Sequence, residues 1–294
     1  MARDGRALIS RGTRRLGINA LLESEKRERS LSWLDGSERP IISDDGKLIA
    51  FEDWSEPNGL YYAACIRKTD GSPVVRLGEG LVLALSPDAR WVLTVKQTAP
   101  PQLVMLPVGA GQPKLLPRGN LVAYQLGATW SHDGKRLVFT GSEAGSGNRV
   151  YVQEVAGGDP HPISPEGYRT FSRSIATDDR SLVVAAPDSS LVRMPVAGGT
   201  TTSIPGTEAG DLLVGWASDG KRIFVYHAAE LHPRIFTVDL TNGDRRLWKL
   251  IEPADPVGLL PFRSTFADLT PDGRNIAYQY NRFVHELYVA EGIR

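Results

Sequence analysis

TWSHDGKRLVFTGSEAGSGNRVYVQEVAGGDPHPISPEG, residues 129–167, is the stretch whose reading decides the fold. An apolar lead-in stops at Asp133-Gly134, and the apolar run Leu137 to Phe139 follows. A polar loop gives way to the alternating segment Val150 to Val155, a Gly157-Gly158 turn and a short strand closing on Ile163. Asp-Gly and Gly-Gly between apolar runs signal tight hairpins, because their turn positions need positive φ. The stretch predicts four antiparallel strands in up-and-down order.

Inner strands that are apolar on both faces need cover on both sides, and a recurring four-stranded unit of this length is a propeller blade. The first turn recurs at Asp4-Gly5, Asp45-Gly46, Asp88-Ala89, Asp133-Gly134, Asp179-Arg180, Asp219-Gly220 and Asp272-Gly273, with gaps of 41, 43, 45, 46, 40 and 53 residues. The second recurs at Asp70-Gly71, Ala110-Gly111, Gly157-Gly158, Gly198-Gly199 and Asn242-Gly243. Two independent turns on one period predict an all-β propeller of four-stranded antiparallel blades, one domain over residues 1–294. Seven repeats are visible, the first and last incomplete. The five fuller ones span 38–80, 81–117, 126–165, 172–206 and 213–251, and the prolines of EPADPVGLLP (252–261) account for the longest gap.

Residues 1–33 lack an inner strand, with RALIS, LGINALL and SLSW as the strands that remain, and 265–294 lack an outer one. Two closures follow. Either a segment before Met1 completes the last blade, making the chain a slice of a longer protein, or SLSW completes it, giving six blades with residues 1–26 as an appendage. Three residues before each first-turn Asp stand Ile42, Leu85, Trp130, Ala176, Trp216 and Leu269, all apolar and expected between blades.

Composition narrows the function classes. Lys plus Arg equals Asp plus Glu at 34 each, so no basic excess draws nucleic acid. Cys65 is the single cysteine and sits in a strand, which predicts a buried, inert thiol. No segment reads as a signal peptide or membrane span, so the chain as written is expected in the cytoplasm.

Catalytic motifs do not emerge. There is no G-x-S-x-G, H-E-x-x-H or Cys-x-x-Cys, and too few residues remain for a hydrolase domain beside the ring. Gly78-Glu79-Gly80 and Gly145-Ser146-Gly147 lack the following helix that phosphate binding needs. The candidate metal ligands are His227, Glu230 and His232; as a polar loop they more simply face apart, and no cofactor is expected. The turn aspartates have a sufficient role in capping their own turns. Trp54, between acidic residues and a Pro-Asn-Gly turn, is the candidate partner anchor.

Leu85 to Asp88 (LSPD), Trp130 to Lys135 (WSHDGK), Trp216 to Lys221 (WASDGK) and Leu269 to Arg274 (LTPDGR) resemble the W-S-P-D-G-K block of TolB-type propellers, across essentially the whole chain. IRKTDGSPVVRLGEG, LALSPDARWVLTV, RLVFTGSE, YVQEVAGG and the ending ELYVAEGIR resemble the C-terminal propeller of bacterial eukaryotic-like Ser/Thr protein kinases. That resemblance implies an upstream kinase domain and membrane anchor, with the propeller outside the cytoplasm as a sensor. The kinase motifs themselves are absent from the chain. Two functions follow as expectations: a non-catalytic module binding a protein, peptide or cell-envelope ligand, or a hydrolase or lyase with its site at the mouth of the central channel. Three or more titratable groups at that mouth would favour the enzyme.

Overall fold

A computed structural model describes residues 7–55, 62–228, 230–261 and 267–290. Its strands form six separate sheets, arranged as the blades of a propeller. β1 (Ala7–Leu21) and β2 (Arg29–Ser30) open the chain. Blade 1 follows as β3 (Ser37–Ile42), β4 (Leu48–Asp53), β5 (Ala63–Lys68) and β6 (Val75–Glu79). Blade 2 is β7 (Leu81–Leu85), β8 (Trp91–Lys96), β9 (Gln102–Pro107) and β10 (Lys114–Leu115). Blade 3 is β11 (Leu121–Trp130), β12 (Arg136–Glu143), β13 (Arg149–Glu154) and β14 (His161–Pro162). Blade 4 holds β15 (Ser181–Ala185), β16 (Leu191–Pro195) and β17 (Thr202–Ser203). Blade 5 is β18 (Asp211–Trp216), β19 (Arg222–His227), β20 (Arg234–Asp239) and β21 (Arg245–Leu250).

The sixth blade settles the closure. Its order is β2-β1-β23-β22, with β22 (Ala267–Leu269) innermost and β23 (Ile276–Ala290) beside β1. The ring has six blades rather than seven, and residues 7–21 are no appendage: they are the third strand of the last blade. Residues 7–10 of RALIS and 16–21 of LGINALL fall in one continuous strand, Ala7–Leu21, and residues 276–280 and 285–290 merge likewise into β23. Neither pair is parted by a turn, because β1 and β23 pair residue for residue from Ala7↔Ala290 to Leu21↔Ile276. Asp4-Gly5 lies outside the described residues. Among the described residues no helix is long and apolar enough to cross a membrane.

Burial follows the ring. Six apolar clusters form the core, each drawn from two neighbouring blades. In β8, Val92 packs towards blade 1 and its neighbour Leu93 towards blade 3, so the strand is apolar on both faces for a geometric reason. Cys65 is fully buried, and burial pushes its thiol up to about 12. Buried polar groups latch blade to blade: Glu52 accepts from the Val82 amide at 2.9 Å, Thr140 from Thr170 at 2.8 Å and Asp268 from Ile42 at 2.8 Å.

The first turn is one repeated device. In blades 1, 2, 3 and 6 a Ser or Thr two residues before the Asp (blades 4 and 5 have Ala176 and Ala217 there) donates its hydroxyl to the carboxylate: Ser43 to Asp45, Ser86 to Asp88 and Ser131 to Asp133 at 2.6 Å, Thr270 to Asp272 at 2.5 Å. The same oxygen accepts a backbone N–H five residues on, as Leu48 to Ser43 and Arg136 to Ser131, both at 2.9 Å. The position after the Asp has positive φ throughout, from 53° at Ala89 to 73° at Gly273.

That geometry corrects the reading of blade 4. Asp178 is its turn acid, accepting from the Arg180 amide at 2.9 Å, and Asp179 occupies the glycine position with φ 56°. The inner residue is accordingly Ile175, bridged to Leu182, and not Ala176. A pattern that required Gly or an unlike residue after the Asp could not separate two adjacent aspartates. The inner edge of this blade is reduced to isolated bridges, Ile175↔Leu182 and Arg169↔Ala185. Between them Arg173 adopts φ 53°, which breaks the extended strand.

Candidate functional site

The first-turn end of the channel is lined from all six blades by Ile42, Leu85, Trp130, Ile175, Trp216 and Pro271 among others. Arg173 fills it. From blade 4 its side chain crosses to Asp268 of blade 6 (Nε to Oδ1, 2.7 Å), to Asp44 of blade 1 (Nη1 to Oδ1, 2.5 Å) and to the Ile42 carbonyl. Burial opposes charge on this guanidinium, but Asp268 and Asp44 outweigh it and hold the group protonated, above its ordinary range. Burial pushes Asp268 up, against the pull of Arg173 and of the Ile42 amide.

His132 also lines the mouth, with Nδ1 2.8 Å from Asp179, whose Oδ1 accepts the His132 amide at 2.8 Å as well. Displacement of Asp179 into the glycine position is what frees its carboxylate for this neighbour. The mouth therefore gathers Asp44, His132 and Arg173. Each is already engaged by a partner within the ring, and the space left is about 70 Å³, room for a handful of waters.

A larger concavity of about 630 Å³ lies on the far side of the ring, at the base of the β1–β23 ribbon. It is lined by Arg14, Ser32, Trp33, Leu34, Asp35, Gly36, Trp54 and Ser55. Trp54 follows β4 and is 40% exposed; Trp33, in the connection from β2 to β3, is 38% exposed. One buried pair mounts both. Asp53 accepts the Ser37 hydroxyl at 2.7 Å and the Ser55 amide at 3.0 Å, and Ser37 Oγ accepts the Trp33 amide at 2.9 Å. A Cβ added at Gly36 would stand 2.9 Å from Ser55 N and Oγ, so glycine sets the floor of the groove. Ser55 Oγ is buried with no hydrogen-bond partner among the described residues.

The predicted metal candidates do not converge. His227 Nδ1 lies 3.8 Å from Asp211, while Glu230 is clamped by Arg234 (Nη2 to Oε1, 2.6 Å), which holds its carboxyl below the usual range. His232 is exposed, and no group of three or more His, Cys, Asp or Glu able to hold a metal occurs among the described residues. Trp33 went unrecognised because SLSW reads as a strand. Arg173 was silent because its partners lie 95 and 129 residues away.

No protein-family model matches the chain, and no curated protein matches it. Solved structures do. A putative TolB from Agrobacterium tumefaciens is 15% identical, covers 92% of this chain and 99% of its own, and superposes with a TM-score of 0.62. TolB from Acinetobacter baumannii is 16% identical over 82% of this chain and 65% of its own, with a TM-score of 0.59. An oligogalacturonate lyase in complex with manganese is 12% identical over 96% and 98%, with a TM-score of 0.56. At such identities the likeness is one of fold, and the fold is that of a TolB-type β-propeller.

Proposed function

We propose that this chain is a non-catalytic recognition module that binds a protein, peptide or cell-envelope ligand through the Trp33–Trp54 groove. We further propose that it is the propeller part of a bacterial receptor-type Ser/Thr kinase, working outside the cytoplasm. The observation that carries the reading is the groove: two half-exposed tryptophans on a rigid mount, bordered by Arg14 and by the buried Ser55 hydroxyl, which has no partner among the described residues. Aromatic anchors held in place by their own scaffold lose little freedom on binding. The receptor context is supported by the kinase-propeller resemblance of segments such as RLVFTGSE and YVQEVAGG.

Co-sedimentation of the purified chain with isolated bacterial envelope fractions tests the reading. Saturable binding that drops at least tenfold in Trp33→Ala/Trp54→Ala is expected; binding indifferent to both tryptophans would overturn it. The second reading is a lyase at the channel mouth, favoured by Asp44, His132 and Arg173 gathering there. Unsaturated product from polygalacturonate with Mn²⁺, abolished by Arg173→Ala, would establish that instead.

A further inference from the structure

Beyond the body of the ring, β1 and β23 run on together as a two-stranded ribbon, whose β23 edge is met at its base by Gly258 and Leu260 (Phe283 N–H to Gly258 O, 2.8 Å; Leu260 N–H to Asn281 O, 2.9 Å), and residues 8–12 of β1 are exposed. Where β1 leaves the ring its outer edge is covered: the Leu16 amide donates to the Asp35 carbonyl at 2.8 Å, a parallel bridge to Gly36, and Ile18 accepts from the Leu31 amide at 2.8 Å. Backbone groups alternate in direction along a strand. Even-numbered residues therefore face outward, and Leu8, Ser10, Gly12 and Arg14 offer N–H and C=O groups to a free edge, while the odd ones bond to β23. The free edge ends at the Trp33–Trp54 groove, because Arg14 belongs to both.

We infer that this edge receives an extended acidic peptide, added as a fifth strand to blade 6 with one side chain seated between the tryptophans. The inference rests on the recognition-module reading and names its ligand. Two features select the occupant. The chain already pairs Asp35–Gly36 with β1, so a peptide continuing along that line extends existing pairing into a site whose backbone groups are preset. Residues 7–15 carry Arg11, Arg14 and Arg15 and no acidic residue; Arg15 is ion-paired with Asp35 at 3.4 Å and Arg11 stands opposite Glu286 of β23, which leaves Arg14, hydrogen-bonded to Asn281, as the cation at the groove. A second copy pairing antiparallel across the same edge would set arginine against arginine, whereas a strand bearing Asp or Glu is matched.

The test pans a phage-displayed library of random dodecapeptides on the purified chain. Ser10→Pro is the discriminating variant: it deletes an outward N–H, a position where an edge strand tolerates proline, and leaves the backbone bonds to β23 in place, with Ser10→Ala as the control for the lost Ser10 Oγ–His285 Nδ1 contact of 3.2 Å. Enriched peptides are expected to be acidic, to lose at least tenfold in affinity with Ser10→Pro and with Trp54→Ala, and to slow amide exchange at Leu8, Ser10, Gly12 and Arg14. Exchange at Ile9, Arg11 and Thr13 should change little, which keeps the test valid even where Ser10→Pro folds poorly. No enrichment, enrichment of basic peptides, or binding without protection of the even-numbered amides would overturn the inference. So would a concentration-dependent dimer that Ser10→Pro abolishes. Envelope binding that persists when the peptides fail would sink the inference and leave the module reading standing.

Discussion

Ala89 stands where the other first turns put glycine or aspartate, in the left-handed region at φ 53°. A Cβ there costs roughly 1–2 kcal/mol, partly offset by the greater entropy glycine loses on folding. Ala89→Gly should therefore raise stability by about 0.5–1 kcal/mol in a urea melt; a loss would mean the turn is held some other way. Trp130, nearly buried between blades 2 and 3, sits at the other extreme, and Trp130→Ala should cost about 3–5 kcal/mol. The turn acids carry a pH signature. The Ser131 hydroxyl holds Asp133 below the ordinary 3.8. In Asp45, Asp88 and Asp272 burial pushes upward but the hydrogen bonds from Ser43, Ser86 and Thr270 outweigh it. A carboxyl depressed in the fold stabilises above its unfolded value and loses that contribution as pH falls through its folded one. Stability should thus decline below about pH 4, and less steeply in Ser131→Ala; equal slopes in the two proteins would contradict the assignment.

At the scale of the element, what was legible is what repeats. Strand runs such as Leu137 to Phe139 and Ile223 to Tyr226 are buried as read, because a strand between two blades has no polar face to show. Interruptions were misread where one chemistry served two positions: Asp178 and Asp179 are both good turn residues, and only the left-handed φ tells them apart. The Arg-rich segment of β1 carries no strand pattern of its own, and pairing with β23 alone makes it one. The groove was half legible. Trp54 stood out in its acidic loop, while Trp33 and Arg14 reach it through contacts that no local pattern encodes. Blade 4 compensates for its broken inner edge by sending Arg173 across the channel. Arg173→Ala would leave the buried Asp268 without its cation, a loss of about 3–5 kcal/mol, whereas Arg173→Ala with Asp268→Asn should recover part of it. A single variant as stable as the parent would show that the cluster merely fills space.

Across the whole molecule, stability depends on whether the ring is shut, since every blade buries its walls only against neighbours. Closure here is non-covalent: β1 and β2 reach back to blade 6, and cluster after cluster meets the next until Ile18 and Leu31 pack with Phe51 and Cys65. The joint that no short connection holds is therefore the β1–β23 pairing, which joins the two ends of the chain's described course and can open without breaking it. Ala7 and Ala290 sit opposite each other in register, so a short linker can join the two ends without disturbing the strands. Backbone cyclisation would remove the freedom the open chain gains on unfolding, on the order of 5–6 kcal/mol for a loop this long. The cyclised protein should melt at higher urea than the linear one, with a slightly shallower slope because its unfolded chain is more compact. A linear chain cut inside β1, between Gly12 and Thr13, should retain most of its stability, because the buried part of the strand begins at Leu16. If cyclisation gave nothing and the cut unfolded the protein, the exposed ribbon rather than the buried half of β1 would be what keeps the ring closed.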